Sequence, residues 1–149
     1  MHNAKCTMHN CFLLFCILHF ALCISSCSLP NLESTQCSEA RDAVKRFYSF
    51  HFGNDMHPSA ENLKTREGFL TTDLISGLKD LQEQQQDYFT ATSDYPKAFR
   101  IGSCSLDSDN KATMQVLLFW RDDTKSEQKE VKVETVKTND KWLINKVFN

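Results

Sequence analysis

Four glycines, at positions 53, 68, 77 and 102, stand alone in a chain of 149 residues. No glycine-rich phosphate loop and no Gly-x-Ser-x-Gly nucleophile turn is therefore present. There is no Cys-x-x-Cys pair, so a thioredoxin-like redox centre is not expected. Basic residues do not outnumber acidic ones: 17 Lys+Arg against 19 Asp+Glu give a formal charge of −2. The clustered positive surface that phosphate neutralisation needs is missing, so nucleic acid is not an expected partner. Most unevenly distributed of all is acid, since no Asp or Glu occurs before Glu33.

That acid-free start is a separate object. Positions 1–27 hold five of the seven cysteines and three of the five histidines. A weakly positive beginning at Lys5 leads into an apolar run over 11–24, interrupted only by His19. Fourteen residues of helix reach about 21 Å, short of a hydrocarbon layer about 30 Å thick. The segment reads as a signal peptide better than as a permanent span, with an ordinary cleaved signal or a retained anchor as the alternatives. The Met-His-Asn triplet recurs at 8–10, so Met8 is a second candidate start. A metal site built from this Cys/His stretch is not expected, because a removed leader cannot serve the mature protein. Its end, Ile24-Ser25-Ser26-Cys27, resembles a bacterial lipobox. The resemblance implies lipidation of Cys27 and a protein held on the bacterial cell envelope by its acyl chains.

The next ten residues, 28–37, lack periodicity and read as a tether, leaving 38–149 as one domain. Helices come first. Ser38 is the expected cap of a helix carrying Ala40, Ala43, Val44, Phe47, Tyr48 and His51 at helical spacing up to Gly53. Pro58-Ser59 opens a second stretch ending near Gly68. Thr72 is the expected cap of a third, with Leu74, Ile75, Leu78 and Leu81 as its stripe and Gly77 marking a close packing contact. From Ala98 the period becomes two. Strands are expected over 99–106, 111–121, 127–138 and 141–148, separated by turn signals at 107–110, 122–124 and 139–140. Short connections favour an antiparallel meander. Ala112, Met114, Val116, Leu118 and Trp120, joined by Val131, Val133, Trp142 and Ile144, should face the helices. Glu130, Lys132 and Glu134 should point to water. Leu117, Phe119, Leu143 and Val147 fall on the opposite face, where either the sheet curls over them or a partner covers them. A second copy of the chain is one such partner.

The fold class expected is thus α+β, N-terminal helices packed on a curved antiparallel meander of four or more strands. Tyr88-Phe89-Thr90-Ala91-Thr92-Ser93-Asp94-Tyr95-Pro96-Lys97-Ala98-Phe99-Arg100-Ile101-Gly102-Ser103-Cys104, Leu117-Leu118-Phe119-Trp120-Arg121-Asp122-Asp123 and Lys141-Trp142-Leu143-Ile144-Asn145-Lys146-Val147 resemble an uncharacterised bacterial exported family. That family belongs to the nuclear-transport-factor-2-like (cystatin-like) superfamily. The resemblance implies a cone-shaped α+β domain and carries no catalytic residue with it.

Few residues offer chemistry. Cys37 and Cys104 are the candidate disulfide of an exported chain, tying the first helix to the first long strand; two separate thiols are the alternative. Two cysteines and two distant histidines lack zinc-ligand spacing, and no cofactor is expected. His51, on or beside the apolar stripe, reads as a hydrogen-bonded core residue before a general base, and His57 as a loop residue. Asp87 and Asp94 flank an aromatic segment. Ketosteroid isomerase and the polyketide cyclases of the same superfamily place an acid or His inside the cone, but no position here matches their motifs. Asp94 reads equally well as a turn residue. Tyr48, Asp94, Tyr95, Trp120 and Trp142 are the candidate lining of a ligand cavity, against the commoner fate of aromatic residues as core. The expected function is a non-enzymatic, envelope-anchored module binding a small apolar ligand or a protein. A metal-independent lyase or isomerase and a protein-directed inhibitor or assembly factor are the rivals.

Overall fold

The structure is a computed structural model that describes residues 33–79, 85–121 and 126–148. The expected leader with Cys27, half of the expected tether, Leu81 and the 122–124 turn lie outside the described residues. Among the described residues three helices precede four strands: α1 (Thr35–Phe52), α2 (Ala60–Arg66), a 3-10 turn (Glu67–Phe69), α3 (Thr72–Lys79), β1 (Ala98–Ser108), β2 (Lys111–Arg121), β3 (Ser126–Thr138) and β4 (Lys141–Phe148). The strands form one antiparallel sheet in the order β1-β2-β3-β4. The α+β class and the meander are as the period change at Ala98 implies.

Helix α1 starts a turn earlier than its apolar stripe suggests. Ser34, not Ser38, is the cap, its hydroxyl accepting the Cys37 N–H at 3.2 Å. Residues 34–37 are therefore part of the domain and not of a tether. The stripe behaves as its spacing requires: Cys37, Ala40, Ala43, Val44, Phe47, Tyr48 and His51 are buried. Helix α2 is capped by the Ser59 hydroxyl on Asn62 N–H. For α3 the capping hydroxyl belongs to Thr71, which accepts from Leu74 N–H, rather than to Thr72. Gly77 is exposed, and an added Cβ would meet nothing within 4 Å, so the close contact expected there is absent.

The core lies between α1 and the sheet. Ala112, Met114, Val116, Leu118, Trp120, Val131, Val133, Trp142 and Ile144 all face it. The helix is gripped from both edges of the sheet. Cys37 is joined to Cys104 of β1 by a disulfide across 67 residues. Two residues on, Glu39 accepts from Trp142 Nε1 at 3.0 Å and Lys137 Nζ at 2.8 Å, on β4 and β3. Arg41 then donates to Gly102 O at 2.6 Å and pairs with Glu33.

Two irregularities move side chains between faces. In β4 the register passes from Glu134↔Lys146 to Thr135↔Ile144, leaving Asn145 as an extra residue. Because strand side chains alternate, one extra residue flips everything beyond it. Val147 thereby joins the helix-facing core instead of sharing the outer face with Leu143. Asn145 donates to Glu134 at 2.6 Å, and Lys111 closes on the same carboxylate at 2.7 Å. Glu134 is consequently buried, not a solvated member of a charged row. The β3–β4 turn places both Asn139 and Asp140 at positive φ, 49° and 60°, the geometry that suits a two-residue hairpin.

Candidate functional site

The chemistry-bearing residues meet where the C-terminal turn of α1, the end of α2 and the 85–97 segment come together. His51 sits at the last turn of α1, on the stripe that buries Phe47 and Tyr48. Its Nε2 lies 2.9 Å from Asp87 Oδ2, and its Nδ1 receives the Arg66 Nε–H at 2.8 Å. A guanidinium can only donate, so Nδ1 must be an acceptor, and the ring proton is on Nε2, donated to Asp87. The three side chains form a closed chain, cation to neutral imidazole to carboxylate. Exposure is 1% for His51, 2% for Arg66 and 3% for Asp87.

Each end of the chain is fastened. Asp87 Oδ2 also accepts from Thr90 N–H at 2.9 Å and Thr90 Oγ1 at 2.6 Å. Arg66 donates through Nη1 to Asn62 O and through Nη2 to Asp55 O, both at 2.7 Å. Burial pulls the Arg66 guanidinium pKa down, opposed by the charges of Asp87 and Asp55. Tyr48 completes the join, donating to Phe89 O at 2.8 Å. Its phenol is pushed well up by burial and then by the charge of Asp87. A backbone ring, Asp87 N–H to Thr92 O and Ala91 N–H to Asp87 O, holds the segment in a tight loop with Ala91 at φ 55°.

Sequence reasoning anticipated His51 as a satisfied core residue and singled out Asp87, but gave Arg66 no role. An Arg at the end of a short helix looks like a solvated C-terminal charge. The one available signal was a lone His on a stripe, which needs polar company when buried.

The trio itself borders a cavity of about 60 Å³, whose other lining residues include Met56, Pro58, Leu63, Leu78, Tyr88 and Phe89. Pockets for drug-sized ligands run to about 300–1,000 Å³. The cavity suits a few waters or one small group. The five candidate lining residues are not gathered around it. Tyr48 is buried in the core. Trp120 and Asp94 border a hollow of about 290 Å³, with the Trp120 N–H donated to Asp94 O at 2.7 Å. Trp142 borders another of about 240 Å³ near Arg46 and Lys141. Tyr95 lies with its hydroxyl 3.4 Å from His57 Nδ1, and burial raises its pKa. The outer sheet face has a hollow of about 490 Å³, lined by polar groups such as Ser103, Asp107, Gln115 and Lys132.

Nor do the four outer-face candidates make one bare patch. Leu117 is 8% exposed, Phe119 and Leu143 are half-buried, and Val147 is on the other side. The Arg100 guanidinium lies 5.9 Å from the Phe119 ring centroid, covering part of it. Glu33, Cys37 and Cys104 bring potential metal ligands within 4.8 Å of one another. The two sulfurs are spent on the disulfide, however, and the carboxylate on Arg41.

No family model matches the chain, and no curated protein does. Two solved structures share its fold. One is a chain of the type VI effector–immunity complex Tae3–Tai3 from Ralstonia pickettii. It has a TM-score of 0.55 and 17% identity, covering 72% of this chain and 92% of that one. The other is a protein of unknown function from Bacteroides thetaiotaomicron. It has a TM-score of 0.51 and 16% identity over 89% of this chain and 99% of that one. Likenesses at this identity establish fold and nothing further.

Proposed function

We propose that the protein is a non-enzymatic, protein-directed binding module of the bacterial cell envelope. It is exported by the 1–27 leader and held by lipid on Cys27, with its α+β domain belonging to the nuclear-transport-factor-2-like cone superfamily. The observation that carries the reading is the closed Arg66–His51–Asp87 chain. Both ring nitrogens of His51 are engaged, and Asp87 is turned into the protein by His51 and Thr90. A general base needs a free lone pair within reach of a substrate proton; both His51 nitrogens and Asp87 Oδ2 are already committed, and Asp87 is only 3% exposed. The adjacent cavity of about 60 Å³ leaves little room for an apolar ligand. The trio instead fixes α1, α2 and the 85–97 loop into one rigid surface. A chain of similar fold occurs in an effector–immunity complex, which is in keeping with a protein partner.

The test is native and denaturing mass spectrometry of the protein isolated from the envelope. The expected result is the lipidated chain alone or in complexes whose added masses are those of proteins. A small organic molecule, present in the native spectrum and lost on denaturation, contradicts it and restores the ligand-binding reading.

A further inference from the structure

The sheet has two edges, and they are treated differently. The β4 edge is closed by the segment before α3: Leu70 bridges Ile144 in parallel, and Thr71 N–H donates to Ile144 O at 2.9 Å. Strand β1 is the other edge, 11 residues long. Among the described residues no strand pairs along its outer side, and Arg41 of α1 donates to its Gly102 O. Its sequence has neither Lys nor Pro, and what interrupts it are two register shifts, at Ile101/Cys104 and at Leu106/Ser108.

The strand is instead complementary to its own reversed copy. In the antiparallel register that sets Arg100 opposite the second copy's Asp107, Ile101 falls opposite the second copy's Leu106. Two-fold symmetry repeats each pair. A regular strand would not allow this, because residues five or seven apart lie on opposite faces. The bulge between Ile101 and Cys104, where three steps of β1 match two of β2, supplies the missing step; a second shift between Leu106 and Ser108 leaves Asp107 as an extra residue, whose face is fixed by its bond from Thr113. Arg100 and Asp107 then share the outer face, where Arg100 approaches Phe119 and Asp107 accepts from Thr113 Oγ1 at 3.0 Å. Ile101 packs against the core, and Leu106 is registered against the core residue Ala112. Among the described residues Leu106 is one of two exposed large apolar side chains, 38% accessible.

We infer that two copies of this chain pair antiparallel through β1, joining their sheets into one of eight strands, with Arg100–Asp107 ion pairs and Ile101–Leu106 contacts setting the register. This inference does not depend on the partner-binding reading above.

A single strand pair is at the small end of stable interfaces, so sedimentation should follow the exported, disulfide-bonded protein up to about 200 µM. The wild type should dimerise as concentration rises. Arg100→Asp and Asp107→Arg, each creating two like-charge pairs, should each weaken the dimer about tenfold. The double exchange should restore it to within about threefold, because each reversed charge again meets its opposite. Leu106→Lys should weaken it as well, and circular dichroism checks that every variant is folded. A monomer throughout the range overturns the inference. So does a dimer indifferent to the single reversals, or a folded double exchange that fails to recover.

Discussion

Removing the charge of Asp87 is the most informative single substitution. Asp87→Asn keeps the shape but replaces one carboxylate oxygen by an NH₂. In the protein one oxygen accepts from His51, Thr90 N–H and Thr90 Oγ1, and the other faces Phe89 N–H at 3.4 Å. Whichever way the amide turns, a donor meets a donor. The buried Arg66 guanidinium also loses its main counter-charge. Breaking a buried ion pair from one side costs about 3–5 kcal/mol. A loss of about 3 kcal/mol is expected, since Asp55 still acts on Arg66. Urea unfolding measures it as a fall in midpoint at unchanged slope. A cycle with His51→Gln should show coupling of about 1–3 kcal/mol. Active-site groups often cost their protein stability, so their replacement tends to be neutral or favourable. A loss below about 1 kcal/mol, or a gain, would refute the view of this trio as a clamp and return it to candidate catalysis.

Other outcomes follow from particular positions. Gly77→Ala should stabilise by about 1 kcal/mol in thermal unfolding, because the site is helical, exposed and open. Replacing Cys37 and Cys104 together by Ala should cost about 4 kcal/mol in the chain-entropy account of a loop of this length. Gly102→Ala should destabilise, since its Cβ would displace the Gln115 amide and come 3.2 Å from Gln115 Cβ, which the strand holds in place. Glu134 is raised by burial but lowered overall by Lys111 and Asn145. Its contribution is complete above the ordinary carboxyl value of 4.5 and is lost as pH falls through the depressed folded value. Glu134→Gln should therefore flatten the acid limb of a stability–pH curve below that point.

The parts of the fold that the sequence reveals are those set by periodicity and turn chemistry. Alternation from Ala98 to Phe148 is long and regular, so the strands and their helix-facing side could be read to within a residue or two. The α1 stripe was equally plain, and so was the pairing of the two cysteines that follow residue 27. Hidden features depend on tertiary partners. Ser34 looks like tether because its neighbours are polar; only the Cys37–Cys104 bond and the Glu33–Arg41 pair show why a helix begins there. Val147 changes face because Asn145 bulges, and Asn145 bulges where Glu134 and Thr71 hold it. Of the central trio, His51 and Asp87 were visible as candidates 36 residues apart, while Arg66, 15 residues from His51, carried no signal of burial.

The most direct test is the protonation of the His51 ring, read by ¹⁵N NMR through the two-bond couplings of its imidazole. The account predicts a neutral ring at pH 7, with a slowly exchanging proton on Nε2 and an unprotonated Nδ1 accepting from Arg66. A ring protonated on Nδ1, or one whose Nε2 proton exchanges freely with solvent, contradicts it. Either result would open the Arg66–His51–Asp87 chain and leave a nitrogen available for chemistry.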